Sequence, residues 1–509
     1  MPPKRSRVVR TPPADHLPAA LTPLLGRTRE LDETTRLLAG TRLLTITGAG
    51  GSGKTRLALE LARRAAAQFD DAVWVDLAPL SHPDLIAQQL MAALRLREIP
   101  NRDELDVVIE SLRERAVLLV FDNCEHLVDA CAAAAETILR SCPRAVILAT
   151  TREALGIGGE QTWLVPPMIE AEAVQLFVER ARSASPSFDA ADHEATIAHI
   201  CTRLDGIPLA IELAAARVKV MSVEQIAERL DDAFRLLTTG SRTLPRHRTI
   251  RETIDWSYRL LGEDEQVLLR RLAVFGGTFS LAAAESICGR DILELLLALV
   301  DKSLVQRSGS RYRLLETVRQ FAAEKFEASG EKESLRERHT RWFLAEAEDA
   351  EPRLFAGASD PALIRAIDED LGNLRAALEW CEEDPSRSEV ELRMLYALRW
   401  YWFARGHFHE ARRRADAALA RAASVDPLLR ARAALTAGNA AVWQADWKPL
   451  RSLMAEAVAT FRNANDDRSL SAALVILGTG VAFGEGDAVA ARRLLEEAEA
   501  AARRHGRDI

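Results

Sequence analysis

Apolar residues along this chain fall first into short continuous runs and then into helical spacing, and the change of period marks out the architecture. Between residues 20 and 170 the runs Leu43–Thr47, Val73–Leu77, Val117–Phe121, Val146–Thr150 and Thr162–Val165 are separated by helical pattern or turns. Short β-rich runs of this kind predict strands buried on both faces, hence a parallel sheet covered by helices. After the first run, Arg56 to Ala67 places Leu57, Ala58, Leu61 and Ala65 on one helical face. From 170 to 240 the pattern is helical only. Residues 245 to 330 predict several short helices, then two strand-like runs, Ser303–Gln306 and Arg311–Leu314, about the turn Ser308-Gly309-Ser310. Helices followed by a small hairpin predict a winged helix.

From about residue 335 onward the chain reads as helical, rich in alanine, arginine and glutamate, with a weak repeat. Ala404-Arg405-Gly406-His407-Phe408-His409-Glu410-Ala411, Gln444-Ala445-Asp446-Trp447-Lys448-Pro449-Leu450 and Gly484-Glu485-Gly486-Asp487-Ala488-Val489-Ala490-Ala491 align so that Gly406, Ala445 and Gly486 are 39 and 41 residues apart. A small residue at a tight turn between apolar helices is what stacked helical hairpins need. The spacing exceeds the ~34 residues of a tetratricopeptide unit, which predicts a long-hairpin variant. The last unit ends at Ile509 without a polar capping helix, so the chain is expected to be shorter than its relatives.

Composition narrows the classes. A chain of 509 residues with 48% hydrophobic and 28% charged residues is an ordinary globular protein of about three to four domains. The net charge of −8 gives no overall reason to expect a nucleic-acid or anionic-membrane binder. Lys4, Arg5, Arg7 and Arg10 lie among prolines in the first 18 residues and predict a flexible basic tail over 1–20. No apolar core follows those charges, so a secretory signal is not expected. The longest apolar stretch, Ile292 to Val300, contains Glu294 and is too short to span a membrane. Six scattered cysteines without a C-x-x-C pair read as reduced thiols, and the expected compartment is cytoplasmic.

Residues Gly48-Ala49-Gly50-Gly51-Ser52-Gly53-Lys54-Thr55 fit G-x-x-x-x-G-K-[ST] in full, between a β-branched strand and a helix opened by Arg56. Glycines let the backbone curl so that successive N–H groups point at a phosphate, and the helix N-terminus adds partial positive charge. Lys54 can then reach β- and γ-phosphates, and the Thr55 hydroxyl can bind Mg²⁺. The site also needs a carboxylate at the end of a buried strand. Asp122 closes Val117-Leu118-Leu119-Val120-Phe121 and fits that role, with a helix N-cap as the alternative. Asn123 cannot act as a base. Glu125 is the nearest acid able to orient water, and reads equally well as a first-turn helix carboxylate. Thr150, Thr151 and Arg152 end the next strand, where ligands bind in open α/β sheets; a surface arginine beginning a helix is the alternative.

These features predict a multidomain α/β + α chain. Its parts are a P-loop parallel-sheet nucleotide-binding domain over 21–170, a helical lid over 171–240, a winged helix over 241–330, and an incomplete tetratricopeptide-like α-solenoid over 331–509.

Taken together, the motifs resemble the NB-ARC/AP-ATPase branch of the STAND NTPases, especially bacterial AfsR-like and LuxR-family ATPase regulators with tetratricopeptide-like sensors. Leu24-Leu25-Gly26-Arg27-Thr28-Arg29-Glu30-Leu31 is similar to the family's h-G-R-x-x-E-L motif, which implies that Gly26 and Arg27 lie near adenine. Asp122-Asn123 stands where most relatives have Asp-Asp, and Thr150-Thr151-Arg152 resembles the T-T-R sensor of the γ-phosphate. Gly206-Ile207-Pro208-Leu209-Ala210 is similar to G-L-P-L, implying that Pro208 packs on the base. The family's Met-His-Asp motif falls on Leu314-Leu315-Glu316, so its ADP-contacting His is replaced by Leu315. Neither a LuxR-type helix-turn-helix nor an N-terminal output domain is recognisable.

The resemblance implies a slow, Mg²⁺-dependent ATPase switch in transcriptional regulation. ADP would hold the winged helix closed, an inducer ligand or protein on the repeats would release it, and ATP would permit assembly into a homo-oligomer. Two other functions compete with this reading. The winged helix could bind DNA directly through the basic cluster Arg242, Arg246, His247, Arg248 and Arg251, against which the acidic net charge argues. The chain could instead be a constitutive P-loop enzyme, although no second-substrate motif is present.

Overall fold

The computed structural model describes residues 16–19, 23–80, 82–99, 102–235, 245–356 and 360–506. The basic residues of the N-terminal tail and Arg242 lie outside the described residues, as do the side chains of Arg246, His247 and Arg248.

Five parallel strands, β1 (Leu43–Thr47), β2 (Asp71–Asp76), β3 (Val117–Asp122), β4 (Val146–Thr151) and β5 (Glu160–Leu164), form one sheet in the order β2-β3-β4-β1-β5. Period-2 alternation splits each apolar run between two faces. Val117, Leu119 and Phe121 pack on one side with Leu43, Ile147 and Ala149. Leu118 and Val120 pack on the other with Leu44, Ile46 and Leu148. The helices α1 (Thr28–Gly40) and α2 (Lys54–Ala65) cover the second face. The first is covered by α3 (Leu85–Ala93), α4 (Glu104–Leu112) and α5 (Val128–Ser141). Burial on both faces is why the runs lack polar alternation.

Two details differ from the sequence expectation. The end of the N-terminal stretch expected to be flexible is tied to the sheet: His16 bridges to Val73 on the edge strand and its Nδ1 lies 3.2 Å from Asp71. An open edge offers unpaired backbone groups, and this contact satisfies some of them. In addition, β2 begins at Asp71, where pairing with Val117 starts, and ends at Asp76 rather than Leu77.

Four helices follow, α6 (Glu170–Ala184), α7 (Glu194–Arg203), α8 (Pro208–Ala215) and α9 (Val223–Arg235). Then come α10 (Pro245–Arg259), α11 (Glu263–Arg271), α12 (Leu281–Cys288), α13 (Leu293–Asp301), a hairpin of β6 (Gln306–Ser308) and β7 (Arg311–Arg313), and α14 (Glu316–Glu327). The hairpin is shorter than expected, because Leu304 and Val305 turn into the core instead of joining the ladder. Phe279 makes an isolated antiparallel bridge to Tyr312 of β7, with N–H···O bonds in both directions at 2.9 Å.

The remaining helices, α15 (Lys332–Ala356), α16 (Pro361–Glu382), α17 (Ser388–Arg405), α18 (Phe408–Arg421), α19 (Pro427–Trp443), α20 (Trp447–Ala464), α21 (Asp467–Gly480) and α22 (Ala488–Arg504), stack as antiparallel hairpins. Gly406, Ala445 and Gly486, the aligned small residues of the repeat, all sit in the left-handed region with φ of 73°, 53° and 73°. One hydrophobic cluster runs from α6 through α10–α14 to α19, so these elements share a continuous core. Among the described residues, no helix is long and apolar enough to cross a membrane.

Candidate functional site

The loop between β1 and α2 builds the site. Gly51 and Gly53 adopt φ of 74° and 92°, which turns the backbone inward before Lys54 opens the helix. Gly53 caps α2 without any side-chain bond, so the first-turn N–H groups stay available for an anion. The Lys54 ammonium is buried and donates to the Gly48 and Ala49 carbonyls at 2.9 and 3.1 Å. Burial lowers its pKa, with Glu125 and Asp122 opposing.

Next to the loop, β4 lies between β1 and β3 and so sets Thr150 and Thr151 beside Asp122. The Thr55 hydroxyl donates to Asp122 Oδ1 at 2.9 Å, and the Thr150 hydroxyl donates to the same oxygen at 2.5 Å. Burial, and then repulsion from Asp76, push the Asp122 carboxyl up to about 6, against the two hydroxyls. The donor set fits a hard cation. Two cis ligands of an octahedral Mg²⁺ at about 2.1 Å are roughly 3 Å apart, which matches the separation of Thr55 Oγ1 and Asp122 Oδ1. The Ser52 and Thr151 hydroxyls and Glu125 Oε2 are buried without hydrogen-bond partners, leaving polar atoms at the site that a ligand can satisfy.

Asp76 was not singled out in the sequence. It ends β2 in register with Asp122 and is half-buried; desolvation is the main cause of its raised pKa, and the Ala78 N–H with the nearby Arg313 and His126 opposes it. The signal was present, since Val73-Trp74-Val75-Asp76 is also an apolar run closing on one acid.

Three further elements close over the loop. A methyl group at Gly50 would lie 2.7 Å from the Thr317 hydroxyl of α14, and one at Gly51 would lie 2.8 Å from Leu209 of α8 and 3.3 Å from Ile250 of α10. The Leu209 N–H donates to the Gly51 carbonyl at 3.2 Å. Pro208 opens α8 and approaches Gly53. Just before it, Gly206 at φ 60° crosses Met168 so closely that a Cβ would lie 2.6 Å from its carbonyl oxygen.

Arg152 stands at the end of β4 and is shared between two parts of the molecule. Its Nε donates to Glu125 at 3.2 Å, and its Nη2 donates to Gln320 of α14 at 2.7 Å. Gln320 in turn donates to Glu316 at 2.8 Å, which also receives both bonds from Arg319. Thr317 and Gln320, three residues apart on one face of α14, are therefore the residues of that helix that meet the loop and Arg152. Neither carries a recognisable motif. Leu315, where the resemblance expects a nucleotide contact, precedes α14 as its N-cap and packs with Leu314 against the hydrophobic core.

Gly26, Arg27 and Arg56 are held by protein groups. The Arg27 backbone N–H donates to Glu172 at 3.0 Å, and its guanidinium bonds Glu30 and the Pro166 carbonyl at 2.9 and 2.7 Å. Its Nη2 and Glu172 Oε2 remain buried without partners. Gly26 lies against Glu172 with φ 62°. Arg56 donates to the Pro23 carbonyl at 2.8 Å and lies 3.5 Å from Glu212, so its head turns toward α8 and the N-terminal segment. From the basic cluster, Arg251 is paired with Glu324 at 2.8 Å. The helix before the β6–β7 hairpin, α13, presents Leu293 and Leu297 to solvent, at 42% and 44% exposure, rather than cations.

A family model described as an AAA domain matches residues 37–157. A Mycobacterium tuberculosis protein provisionally named an HTH-type transcriptional regulator is 44% identical over 393 residues, which is 74% of this chain and 43% of that relative. The chain thus spans less than half the length of such relatives. An uncharacterised protein of the same organism is 42% identical over 337 residues, covering 63% of this chain and 86% of its own length. The regulatory protein AfsR of Streptomyces griseus is 29% identical over 334 residues, covering 60% of this chain and 32% of AfsR. In fold, the chain is similar to a Signal Transduction ATPase with Numerous Domains carrying a tetratricopeptide repeat sensor, from Pyrococcus horikoshii. The TM-score is 0.57 at 16% identity, over 97% of this chain and 72% of that one.

Proposed function

We propose, from the premise that this chain belongs to the family of the uncharacterised Mycobacterium tuberculosis protein it covers to 86%, that it is a STAND-class P-loop ATPase acting as a nucleotide-dependent switch in transcriptional regulation, as its AAA-domain match and its likeness to AfsR support. The observation that carries the proposal is the 2.7 Å bond from Arg152 to Gln320, made where α14 also caps the loop through Thr317. An arginine beside a phosphate loop is suited to read the γ-phosphate. Here its guanidinium is engaged by the winged-helix segment, which supports a closed, ADP-type arrangement.

In this proposal the nucleotide is ADP or ATP. Lys54 and the loop N–H groups hold its phosphates, while Thr55 and Asp122 hold Mg²⁺, which neutralises phosphate charge when bound. Arg27, Gly26 and Pro208 border the base. Hydrolysis is slow, since Asn123 is no base and Glu125 is paired with Arg152. The functional units are taken as 21–170, 171–240, 241–330 and 331–509. The repeats receive an inducer ligand or protein, ATP-bound copies assemble, and the winged helix serves as a packing module rather than a DNA reader. Moving such a switch from 1:99 to 99:1 takes about 5.5 kcal/mol of differential binding, within reach of nucleotide discrimination combined with assembly.

Native mass spectrometry of the purified chain tests the reading. It should show ADP bound one-to-one, and a higher-mass species in ATP with inducer. A nucleotide-free protein turning over ATP at about 10 s⁻¹ without any inducer would instead identify a constitutive enzyme.

A further inference from the structure

We propose that Glu98, Glu104 and His409 form a binding site for a divalent first-row transition ion that bridges the nucleotide-binding sheet to the helical repeat. Glu98 lies in the loop after α3, Glu104 is the first residue of α4, and His409 is the second residue of α18. One ligand atom from each lies within 4.8 Å of the others. Glu104 is 8% exposed and its Oε1 has no hydrogen-bond partner, yet it faces His409 Nδ1 at 3.8 Å. A buried carboxylate oxygen left unpaired is costly, and a cation between it and the imidazole removes that cost.

The interface holds the ligands in register. The His409 backbone N–H donates to Glu98 Oε1 at 3.1 Å, and Gln88 of α3 bonds His407 two residues earlier. Gln444 Nε2 lies 3.4 Å from His409 Nδ1 and donates to its lone pair, a long contact that the imidazole gives up when that nitrogen takes the ion. The His409 side chain is 65% exposed, so an ion can enter from solvent and keep a water as a further ligand. A tetrahedral ion with bonds of about 2.0–2.2 Å spaces its ligands roughly 3.4 Å apart, a contraction that rotation of the exposed imidazole supplies.

Two carboxylates with one imidazole suit Zn²⁺ or Mn²⁺ better than Mg²⁺ or Ca²⁺, which prefer all-oxygen sets. The site does not depend on the switch reading, because it concerns how the repeat docks and not what the nucleotide does.

The test is Zn²⁺ titration of the chelator-treated full chain by calorimetry, with excess Mg²⁺ to occupy the phosphate-loop site. Wild type should bind one Zn²⁺ that Glu104→Gln and His409→Ala weaken by about tenfold or more. The same Zn²⁺ should raise the melting temperature of wild type but not of His409→Ala, which alters an exposed side chain and leaves the fold intact even if Glu104→Gln does not. Identical isotherms for wild type and His409→Ala, or no Zn²⁺ uptake by wild type, would overturn the assignment.

Discussion

Arg152 and Gln320 meet at 2.7 Å across the mouth of the phosphate loop, joining the end of β4 to the face of α14. Breaking this bond removes one charge-assisted restraint on the closed arrangement, worth about 1.5–3 kcal/mol. Gln320→Ala is therefore expected to speed ADP release by roughly tenfold or more, read as displacement of a fluorescent ADP analogue in stopped flow. A variant that exchanges at the wild-type rate would leave Gln320 outside the switch.

Arg152 itself should discriminate between nucleotides. Only ATP presents a terminal phosphate to the end of β4, so Arg152→Ala is expected to weaken ATP more than ADP in calorimetry. Equal losses for both would return Arg152 to the role of a surface residue held by Glu125.

Lys54 and Asp122 separate binding from metal use. Lys54→Ala removes the buried ammonium of the loop and should abolish nucleotide binding with the fold retained. Asp122→Ala should keep nucleotide but lose Mg²⁺-dependent hydrolysis. It also relieves the repulsion between Asp122 and Asp76, so its melting temperature is not expected to fall by much. Wild-type hydrolysis by Asp122→Ala would rule out the metal role.

How much of this was legible in the sequence depends on how local each cause is. The loop, β1 and the acid closing β3 are read from neighbours a few residues apart, and their positions follow from turn chemistry and period-2 burial. Gly406 and Gly486 were visible because a left-handed turn selects glycine, while Ala445 holds the same turn at φ 53° despite its Cβ. Asp76 escaped notice because Leu77 prolongs the apolar run and hides where β2 stops. Leu304 and Val305 read as strand, yet tertiary burial and not ladder pairing fixes them. Thr317 and Gln320 could not be seen at all, since their partners Gly50 and Arg152 lie far away in sequence and only packing brings them together. His16 was read as tail for the same reason, its partners being Val73 and Asp71.

Acidity should loosen the seam between α15 and the segment after α11 through His339. This residue of α15 is 2% exposed, its ring lies 5.7 Å from Phe275 and 4.7 Å from Phe343, and its Nε2 has no partner. Burial holds its pKa down at about 4, against a hydrogen bond that the imidazole makes to Asn373. The unfolded chain takes up the proton near pH 6.5 while the folded chain does not. The stabilising effect of a neutral His339 is thus complete above about pH 6.5 and is lost as pH falls toward 4. Between pH 7 and 5 the loss is about 2 kcal/mol. Unfolding followed at several pH values should show that slope in wild type and a shallower one in His339→Leu, which keeps the volume but cannot titrate. The same slope in both proteins would mean that His339 does not couple acidity to this interface.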